Sequence, residues 1–271
     1  MTTSSALPQV RSLGYGAPFR WLAQGWRDLW RAPLPMLAYG LAVAAMSLAL
    51  CYGLYVTNGA FWMLVLSCGF VLVAPILAMG AYESGRLLEA GERPSLRKVV
   101  FVRPAFRQDV AYLAVGLLII YFFWGRMAQI VYGLSTFQLH DSVDALLTFA
   151  LTTPEGRNML VVGTVVGGVI AYLTFAIVVV STPMLLDPEA NVFVAVATSV
   201  RSVALNPGPM TLWAFIIVAL LVLSAATCFL ALILVFPWLG LASWRAYRDL
   251  VAAPHAVLAG SEMLRKGAAD A

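Results

Sequence analysis

Charged residues are scarce in this sequence. Only 11% of the 271 residues are Asp, Glu, Lys or Arg, whereas 62% are hydrophobic, and a typical soluble domain has about 25% charged residues. The mean hydropathy is +0.88. This composition excludes an ordinary soluble protein, because so little polar surface is available to face water. It predicts that lipid surrounds most of the chain.

Cysteine and histidine are also rare, which excludes several kinds of metal and cofactor site. The cysteines Cys51, Cys68 and Cys228 lie within apolar segments and form no CxxC pair, so they indicate neither a disulfide nor a metal site. His140 and His255 lie outside the apolar segments. A haem or copper centre needs several ligands inside the membrane. We therefore predict no cofactor and no metal in this chain.

Recognisable catalytic motifs are missing as well. The sequence contains no Walker loop, no HExxH, no GxSxG and no dinucleotide-binding fingerprint. Its formal net charge of +4 comes from Lys and Arg residues beside apolar segments, which is typical of membrane orientation and not of nucleic-acid binding. We expect neither an enzyme nor a nucleic-acid-binding protein.

Long apolar segments are what the sequence has in abundance. A helix needs about 20 mostly apolar residues to cross a membrane. The predicted crossings are residues 35–56, 60–82, 110–132, 159–181, 209–224 and 227–248. They form one membrane domain, residues 19–252, between a flexible cytoplasmic segment, 1–18, and a flexible tail, 253–271. The N-terminal segment lacks the apolar core of a signal peptide, so we expect the first crossing to stay in the protein.

The segment from Met210 to Trp238 permits two interpretations, one long helix or two shorter helices with a turn near residues 224–227. With six crossings and a cytoplasmic N-terminus, only Arg126 and Arg157 of the 17 Lys and Arg residues lie outside. With five crossings, the four C-terminal basic residues also move outside. The positive-inside rule therefore favours six crossings, with both chain ends in the cytoplasm of a bacterial cell and the protein in its inner membrane.

Three amphipathic stretches, residues 19–31, 95–107 and 191–205, precede the predicted hairpins. In the first stretch, a helical projection places apolar and polar side chains on opposite faces. The apolar face has Phe19, Leu22, Trp26, Leu29 and Trp30, and the polar face has Arg20, Gln24, Arg27, Asp28 and Arg31. This pattern, with its tryptophans, predicts a helix that lies in the headgroup layer.

An internal repeat relates the ends of the chain. Residues 27–36 (RDLWRAPLPM) resemble residues 201–210 (RSVALNPGPM), with Arg, two Pro and Met in register. Pro75 and Arg86 likewise match Pro237 and Arg248 in spacing. The simplest architecture is an all-α membrane helix bundle of three hairpin repeats, each preceded by an interfacial amphipathic helix.

Several short stretches resemble the DUF2189 family of bacterial integral membrane proteins, whose activity is unknown. They are residues 25–33 (GWRDLWRAP), 37–41 (LAYGL), 82–84 (YES), 91–95 (GERPS), 152–156 (TTPEG), 183–187 (PMLLD), 206–210 (NPGPM) and 244–250 (WRAYRDL). The resemblance extends over roughly residues 20–252. It implies a multi-pass membrane protein and supplies no established activity.

Some members of that family carry a cytochrome c oxidase label. Family members often have histidines at the places that match Leu241 and Arg245, and this sequence has neither. A role that depends on those histidines is therefore not expected for this chain.

Polar residues recur near the predicted cytoplasmic ends of the crossings. The candidate site residues are Arg27, Asp28, Glu83, Arg86, Asp187, Arg201, Asn206, Arg248 and Asp249. We call them the polar layer. The first interpretation is a structural layer of ion pairs and helix caps. The alternative is a binding site for anionic lipid headgroups or a partner protein. We favour the structural interpretation.

The predicted outer side has two further features. Residues 142–151 are expected to form a short helix that covers the outer mouth of the bundle, and Pro154 begins the next crossing. Gly163, Gly167 and Ala171 form a small-residue stripe on that crossing. The stripe permits close helix packing, either within the bundle or between two copies, and we favour packing within the bundle.

Three classes of function remain after these exclusions. The favoured class is a non-enzymatic scaffold or accessory subunit of a membrane complex, with respiratory complexes as one example. The alternative is a small-molecule or lipid carrier, which the repeat favours and the lack of polar residues at mid-membrane weakens. An enzyme acting on lipid headgroups is the third. The expected partners are the bilayer, its anionic lipids at the cytoplasmic face and another membrane protein.

Overall fold

The computed structural model describes residues 7–56, 74–102, 107–138, 140, 142–187 and 190–251. Within these ranges the chain is almost entirely helical. The helices are α1 (Ala17–Arg31), α2 (Pro33–Val56), α3 (Met79–Glu89), α4 (Leu96–Val100), α5 (Gln108–Ser135), α6 (Val143–Thr152), α7 (Pro154–Val178), α8 (Ser181–Met184), α9 (Val192–Leu205), α10 (Pro207–Ala226) and α11 (Leu232–Leu250). The all-α class predicted from the sequence is confirmed.

Four helices in the described part of the chain are long and apolar enough to cross a membrane. They are Pro33–Val56, Gln108–Ser135, Pro154–Met184 and Pro207–Ala226. The predicted crossing at residues 60–82 falls largely on residues 57–73, which lie outside the described residues. The tail predicted for residues 253–271 also lies outside them.

The segment that allowed one helix or two contains two helices, α10 and α11. The turn between them, at residues 227–231, includes Cys228 (φ 50°) and Phe229 (φ 65°) in the left-handed region, which an uninterrupted α-helix does not contain. Helix α11 is not among the four long apolar helices because its last part carries Arg245, Arg248 and Asp249.

Proline begins several of these helices. Pro33, Pro154 and Pro207 are the first residues of α2, α7 and α10, where a residue without an N–H group loses no hydrogen bond. At α7, the Thr153 hydroxyl also accepts a hydrogen bond from the Gly156 N–H at 3.0 Å, which satisfies one of the free donors of the first turn.

The joint between α1 and α2 closely matches the joint between α9 and α10. The linking residue is Ala32 in the first (φ −141°, ψ 60°) and Asn206 in the second (φ −129°, ψ 52°). Its N–H donates to the Leu29 carbonyl in one joint and to the Val203 carbonyl in the other, both at 3.2 Å. The sequence similarity at these two places thus corresponds to one local backbone geometry.

Helix α11 is the centre of the bundle, and most of its residues are buried. Glycines let its neighbours approach closely. A Cβ atom on Gly25 of α1 would lie 2.7 Å from the Ala242 nitrogen, and one on Gly40 of α2 would lie 2.0 Å from the Ile233 oxygen. Real Cβ atoms do not come so near, so both positions require glycine for this packing.

Helix α1 packs one face against the bundle and leaves another face exposed. Its buried residues are Ala17, Pro18, Trp21, Gly25, Asp28 and Leu29. Phe19 and Trp30 of the predicted apolar face remain 58% and 53% exposed, so this part of the face does not pack against the bundle. Asp28, assigned to the polar face, is only 2% exposed. The hydrophobic pattern missed this arrangement because an ion pair, described below, compensates the buried carboxylate.

The other two amphipathic stretches form helices of different lengths. Residues 191–205 form α9, and the Asn191 side chain accepts a hydrogen bond from the Phe193 N–H at 2.8 Å. In residues 95–107, only the five-residue helix α4 is described before the gap at 103–106. Val99 of α4 is buried, whereas Val100 is exposed.

The helices on the predicted outer side agree with the sequence patterns. Helix α6 occupies the predicted loop, and Ser142 caps it by accepting a hydrogen bond from the Ala145 N–H at 3.2 Å. A Cβ atom on Gly167 of α7 would lie 2.8 Å from the Trp124 ring of α5. The prediction that the small-residue stripe packs within the bundle is therefore confirmed at Gly167.

Candidate functional site

The polar layer lies at the end of the bundle where α1, α9 and α11 end and α3 packs against α11. Backbone hydrogen bonds beside the layer join the two described ends of the chain. The Arg11 N–H donates to the Leu250 carbonyl at 2.9 Å, and Val10 pairs with Val251 in an antiparallel bridge. Both described ends of the chain therefore lie at this one end of the bundle.

Asp28 is the most deeply buried carboxylate of the layer. Its Oδ2 atom accepts a hydrogen bond from Arg245 Nε at 2.6 Å, and its Oδ1 atom accepts one from Arg31 Nη1 at 3.0 Å. The first bond joins α1 to α11 and the second stays within α1. A buried carboxylate is tolerated when it is paired in this way. Sequence reasoning missed Arg245 as its partner.

Glu83 and Arg86 form a two-bond ion pair within α3. Arg86 Nε donates to Glu83 Oε2 at 2.7 Å and Arg86 Nη2 donates to Glu83 Oε1 at 2.6 Å. The hydrogen bonds to Glu83 raise the pKa of the Arg86 guanidinium above its usual value. Both members were predicted for the layer, and they lie three residues apart on one face of the helix.

Glu89, which the sequence analysis did not select, joins α3 to α11. Its Oε1 atom accepts a hydrogen bond from Arg248 Nε at 3.0 Å, and its Oε2 atom accepts one from the Trp244 indole at 3.0 Å. Glu89 continues the three-residue spacing of Glu83 and Arg86, and that spacing was the signal that could have identified it.

Asp249 joins the end of α11 to the beginning of α1. Its Oδ2 atom accepts hydrogen bonds from the Trp21 indole at 3.0 Å and from Arg20 Nη2 at 3.3 Å. Trp21 is fully buried and meets Trp213 of α10 edge to face, with ring centroids 5.6 Å apart. The carboxylate thus satisfies an indole donor that points out of the apolar core.

Asn206 forms hydrogen bonds that link the N-terminal segment to the joint between α9 and α10. Its Oδ1 atom accepts a hydrogen bond from the Leu13 N–H at 2.7 Å, and its Nδ2 atom donates to the carbonyls of Arg11 at 3.0 Å and Ser202 at 3.1 Å. The side chain is buried and bonded at both polar atoms. Residues 11–13, predicted to be flexible, are held by these bonds.

The remaining predicted members lie at the surface. Arg27 and Arg201 are exposed, and neither guanidinium has an ion pair or hydrogen bond within the described ranges. Asp187 is exposed in the turn after α8, and its carbonyl accepts a hydrogen bond from Arg107 Nη1 at 2.6 Å. The structure therefore separates the layer into buried, bonded members and exposed arginines.

Arg107 and Asp109 form a second polar connection that the sequence analysis did not predict. Besides Asp187, Arg107 donates to the Ala190 carbonyl at 3.3 Å. Asp109 Oδ1 accepts a hydrogen bond from the Val192 N–H at 3.0 Å. Together they hold the loop between α8 and α9 against the start of α5.

Titratable and sulfur-containing side chains in the described part of the chain do not form a metal site. No group of three or more His, Cys, Asp or Glu side chains is close enough there to hold a metal ion.

The pKa of Glu92 is lowered by its hydrogen bond from Lys98 Nζ at 2.7 Å, an exposed pair near the layer.

The polar layer consists of side chains whose hydrogen bonds link different helices at one end of the bundle. Asp28, Glu89 and Asp249 each connect α11 to another helix, and Asn206 connects the N-terminal segment to the joint between α9 and α10. The four long apolar helices in the described residues are those of an α-helical integral membrane protein. The hydrogen bonds of the polar layer hold the helix ends together on one side of it.

The comparisons agree with this class. Residues 63–187 match the model of the DUF2189 family, which is described as a predicted integral membrane protein. The family resemblance is therefore confirmed over that stretch, and the motifs at 25–41 and 206–250 lie outside it. No curated protein and no solved structure matches the chain significantly.

Proposed function

We propose that the protein is a non-enzymatic membrane scaffold or accessory subunit. The observation that supports this proposal is that the buried polar groups of the polar layer already have hydrogen-bond partners within the chain. Its buried members, Asp28, Glu83 and Asn206, have partners within the chain, as do Glu89 and Asp249. Carboxylates and amides engaged in this way stabilise the fold and are not free to bind a substrate.

A scaffold of this kind would bind its partner through the surface of its apolar helices. Large apolar side chains are exposed along α5 and α7, including Ile119, Phe122, Val165 and Leu173. In a bilayer these side chains contact lipid, or a second membrane protein that replaces the lipid. The partner class is therefore another integral membrane protein, and a respiratory complex is the specific case to be tested first.

We further propose six crossings with both chain ends in the cytoplasm. Asn206, just before α10, and Leu250, at the end of α11, both bond to Arg11. The α10–α11 hairpin therefore starts and finishes at the same end of the bundle, so if α10 crosses, α11 returns. The count of basic residues favours the cytoplasm of a bacterial inner membrane as that side.

Anionic lipids at the cytoplasmic face are the proposed lipid partners. Arg27 and Arg201 are exposed at the end of the bundle that carries the polar layer, and α1 exposes Phe19, Trp26 and Trp30 beside Arg27. Aromatic rings and free guanidinium groups are typical of a surface in contact with headgroups. This contact would orient the bundle in its membrane.

Co-purification tests the scaffold proposal. The full chain, carrying an affinity tag, would be extracted in a mild detergent and its partners identified by mass spectrometry. A scaffold brings down the same membrane protein in constant proportion. A test variant exchanges exposed apolar residues of α5 for polar ones, Ile119→Gln and Phe122→Gln. It should lose the partner without unfolding the bundle. Recovery of the chain alone, in all mild detergents, would contradict the proposal.

A carrier of lipids or small apolar molecules is the second candidate, because the bundle contains a cavity. It has a volume of about 100 Å³ and lies between residues 74–82, α7, α10 and α11. Co-purification of a bound lipid or solute without a protein partner would favour the carrier over the scaffold.

A further inference from the structure

The cavity between residues 74–82, α7, α10 and α11 has a closed end and an open end. Its closed end is formed by buried residues, among them Tyr82, Val179 and Ser243. Tyr82 immediately precedes Glu83 of the polar layer, and Ser243 lies two residues before Arg245. The closed end therefore lies on the side of the cavity that is nearest the polar layer.

The open end of the cavity is apolar. Its lining side chains there are only partly buried: Ala74, Ala171, Phe175, Ile217 and Leu221. These residues lie farther along their helices from the polar layer. A molecule that occupies the cavity can therefore extend from the closed end, between the helices, towards the hydrocarbon interior of the membrane.

Two hydroxyl groups at the closed end have no hydrogen-bond partner among the described residues. Tyr82 is 6% exposed and Ser243 is 8% exposed, and both line the cavity. Neither oxygen is among the fully buried polar atoms without a partner, which in the described residues are Thr182 Oγ1 and Trp213 Nε1, so both hydroxyls keep some accessible surface. Both hydroxyls are therefore available to a bound molecule.

Ser243 differs from most of the buried Ser and Thr residues in the helices, although Thr182 of α8 also lacks a hydrogen-bond partner. Ser47, Ser84, Thr174, Thr198, Ser202 and Ser224 each donate to the carbonyl four residues earlier. Such bonds are the usual solution for Ser and Thr inside a helix. Thr174 lines the same cavity and is satisfied in this way, so the free hydroxyl at Ser243 is not a general feature of the cavity wall.

We propose that this cavity binds the carbonyl end of a lipid acyl chain. The carbonyl oxygen accepts hydrogen bonds from Tyr82 and Ser243 at the closed end, and the chain leaves through the apolar open end into the bilayer. A volume of about 100 Å³ holds the carbonyl and a few methylene groups, since a cavity of about 150 Å³ accommodates benzene. The remaining methylene groups stay in the membrane.

This inference concerns the cavity of the second candidate function and does not depend on the scaffold role. A resident acyl chain could fill the bundle of a scaffold as well as that of a carrier. Two sources supply the same chemistry, a free fatty acid and the ester of a phospholipid. The test distinguishes them by offering each one separately.

Native mass spectrometry of the purified full chain tests the proposal, with oleic acid and dioleoyl phosphatidylglycerol as separate probes. The parent should bind one molecule of one probe with saturation. Removing one hydroxyl, by Tyr82→Phe or by Ser243→Ala, should weaken binding about fivefold, the effect of losing one hydrogen bond. Ala171→Leu, which fills the open end, should abolish the saturable binding. The preferred probe identifies the source.

Ala219→Leu is the matched control, because Ala219 lies on α10 beside the cavity-lining Ile217 but is exposed on the helix surface. It should bind like the parent. If Ala171→Leu does not fold, the two hydroxyl variants decide the outcome. The proposal is overturned if neither probe binds with saturation, or if both hydroxyl variants bind as tightly as the parent.

Discussion

Asp28 is the residue on which the connection between α1 and α11 depends most directly. It is 2% exposed and its partner Arg245 has a side chain that is 20% exposed. The pair lies where water cannot replace either member easily. Removing Arg245 leaves the buried Asp28 carboxylate with only its bond from the exposed Arg31, and this cost is larger than the net stabilisation that the intact pair provides.

The variant Arg245→Gln should therefore lower the free energy of unfolding by about 3 kcal/mol. Arg27→Gln is the matched control, since Arg27 is an exposed arginine without a described partner, and its effect should stay within about 0.5 kcal/mol. Thermal or denaturant unfolding in detergent measures both. Equal stability of the two variants would show that the Asp28–Arg245 pair contributes nothing to the fold.

Arg201 and Arg248 should respond differently to the same change. Arg248 bonds to Glu89 at the surface between α3 and α11, so Arg248→Gln should cost about 1 kcal/mol of stability, as expected for a partly exposed ion pair. Arg201→Gln should leave the melting temperature unchanged and reduce the cardiolipin retained in native mass spectra. A lower melting temperature for Arg201→Gln, with cardiolipin retained, would assign Arg201 to the structural part of the layer.

At the scale of helices, the central position of α11 was not evident from its sequence. Hydrophobic periodicity separates helices from loops, and it predicted α6, α9 and the apolar helices α2, α5, α7 and α10 well. It does not tell which helix the others surround. That depends on glycines such as Gly40 and Gly240, whose role appears only when the facing backbone is known.

The close contact between α2 and α11 should fail if a side chain is added at Gly40. A Cβ atom there meets the Ile233 carbonyl, and backbone cannot move aside as a flexible side chain can. Gly40→Ala should therefore destabilise the bundle by more than about 1 kcal/mol. Gly116→Ala is the control within α5, where a Cβ meets nothing within 4 Å, and it should be neutral or stabilising because alanine favours helix. Matched melting curves compare them.

Helix α1 faces both the bundle and its surroundings. Trp26 meets Trp238 edge to face with ring centroids 5.2 Å apart, while much of its surface and that of Trp30 remains exposed. The variant Trp26→Asp, Trp30→Asp should reduce the amount of protein in the membrane fraction, because burying one such ring in lipid contributes on the order of 1.5–3 kcal/mol. Gln24→Asp, at another exposed position of α1, is the control. Equal accumulation of all variants would contradict an interfacial role.

At the scale of the whole molecule, the sequence predicted the class of the fold and several bonded residues of the polar layer, but it missed Glu89 and Arg245 and did not predict which residues pair. Asp28, Asn206 and Asp249 were recognised because polar residues are rare in an apolar chain. Their partners Arg245, Arg11 and Trp21 lie about 200 residues away. No local pattern specifies such contacts, because they result from the path of all the helices between them.

The meeting of the two chain ends predicts the topology. A reporter fused after Ala252 and one fused before the N-terminus should both report the cytoplasm, because Val10 pairs with Val251 and the basic residues favour that side. Alkaline phosphatase and a fluorescent protein are complementary reporters for this measurement. Phosphatase activity after Ala252, with a fluorescent N-terminal fusion, would mean an odd number of crossings.

The contacts of α11 also determine when the bundle can complete its packing during synthesis. Its partners on α1 and α2 leave the ribosome first, and α11 is synthesised about 200 residues later, a delay of roughly 10–40 s at the usual rates of translation. During that interval Asp28 has no Arg245, and Gly25 and Gly40 have no facing helix. The nascent protein therefore remains incompletely packed until α11 has been synthesised. A chain that stops before α11 would leave exposed the faces of α1, α2 and α3 that pack against this helix.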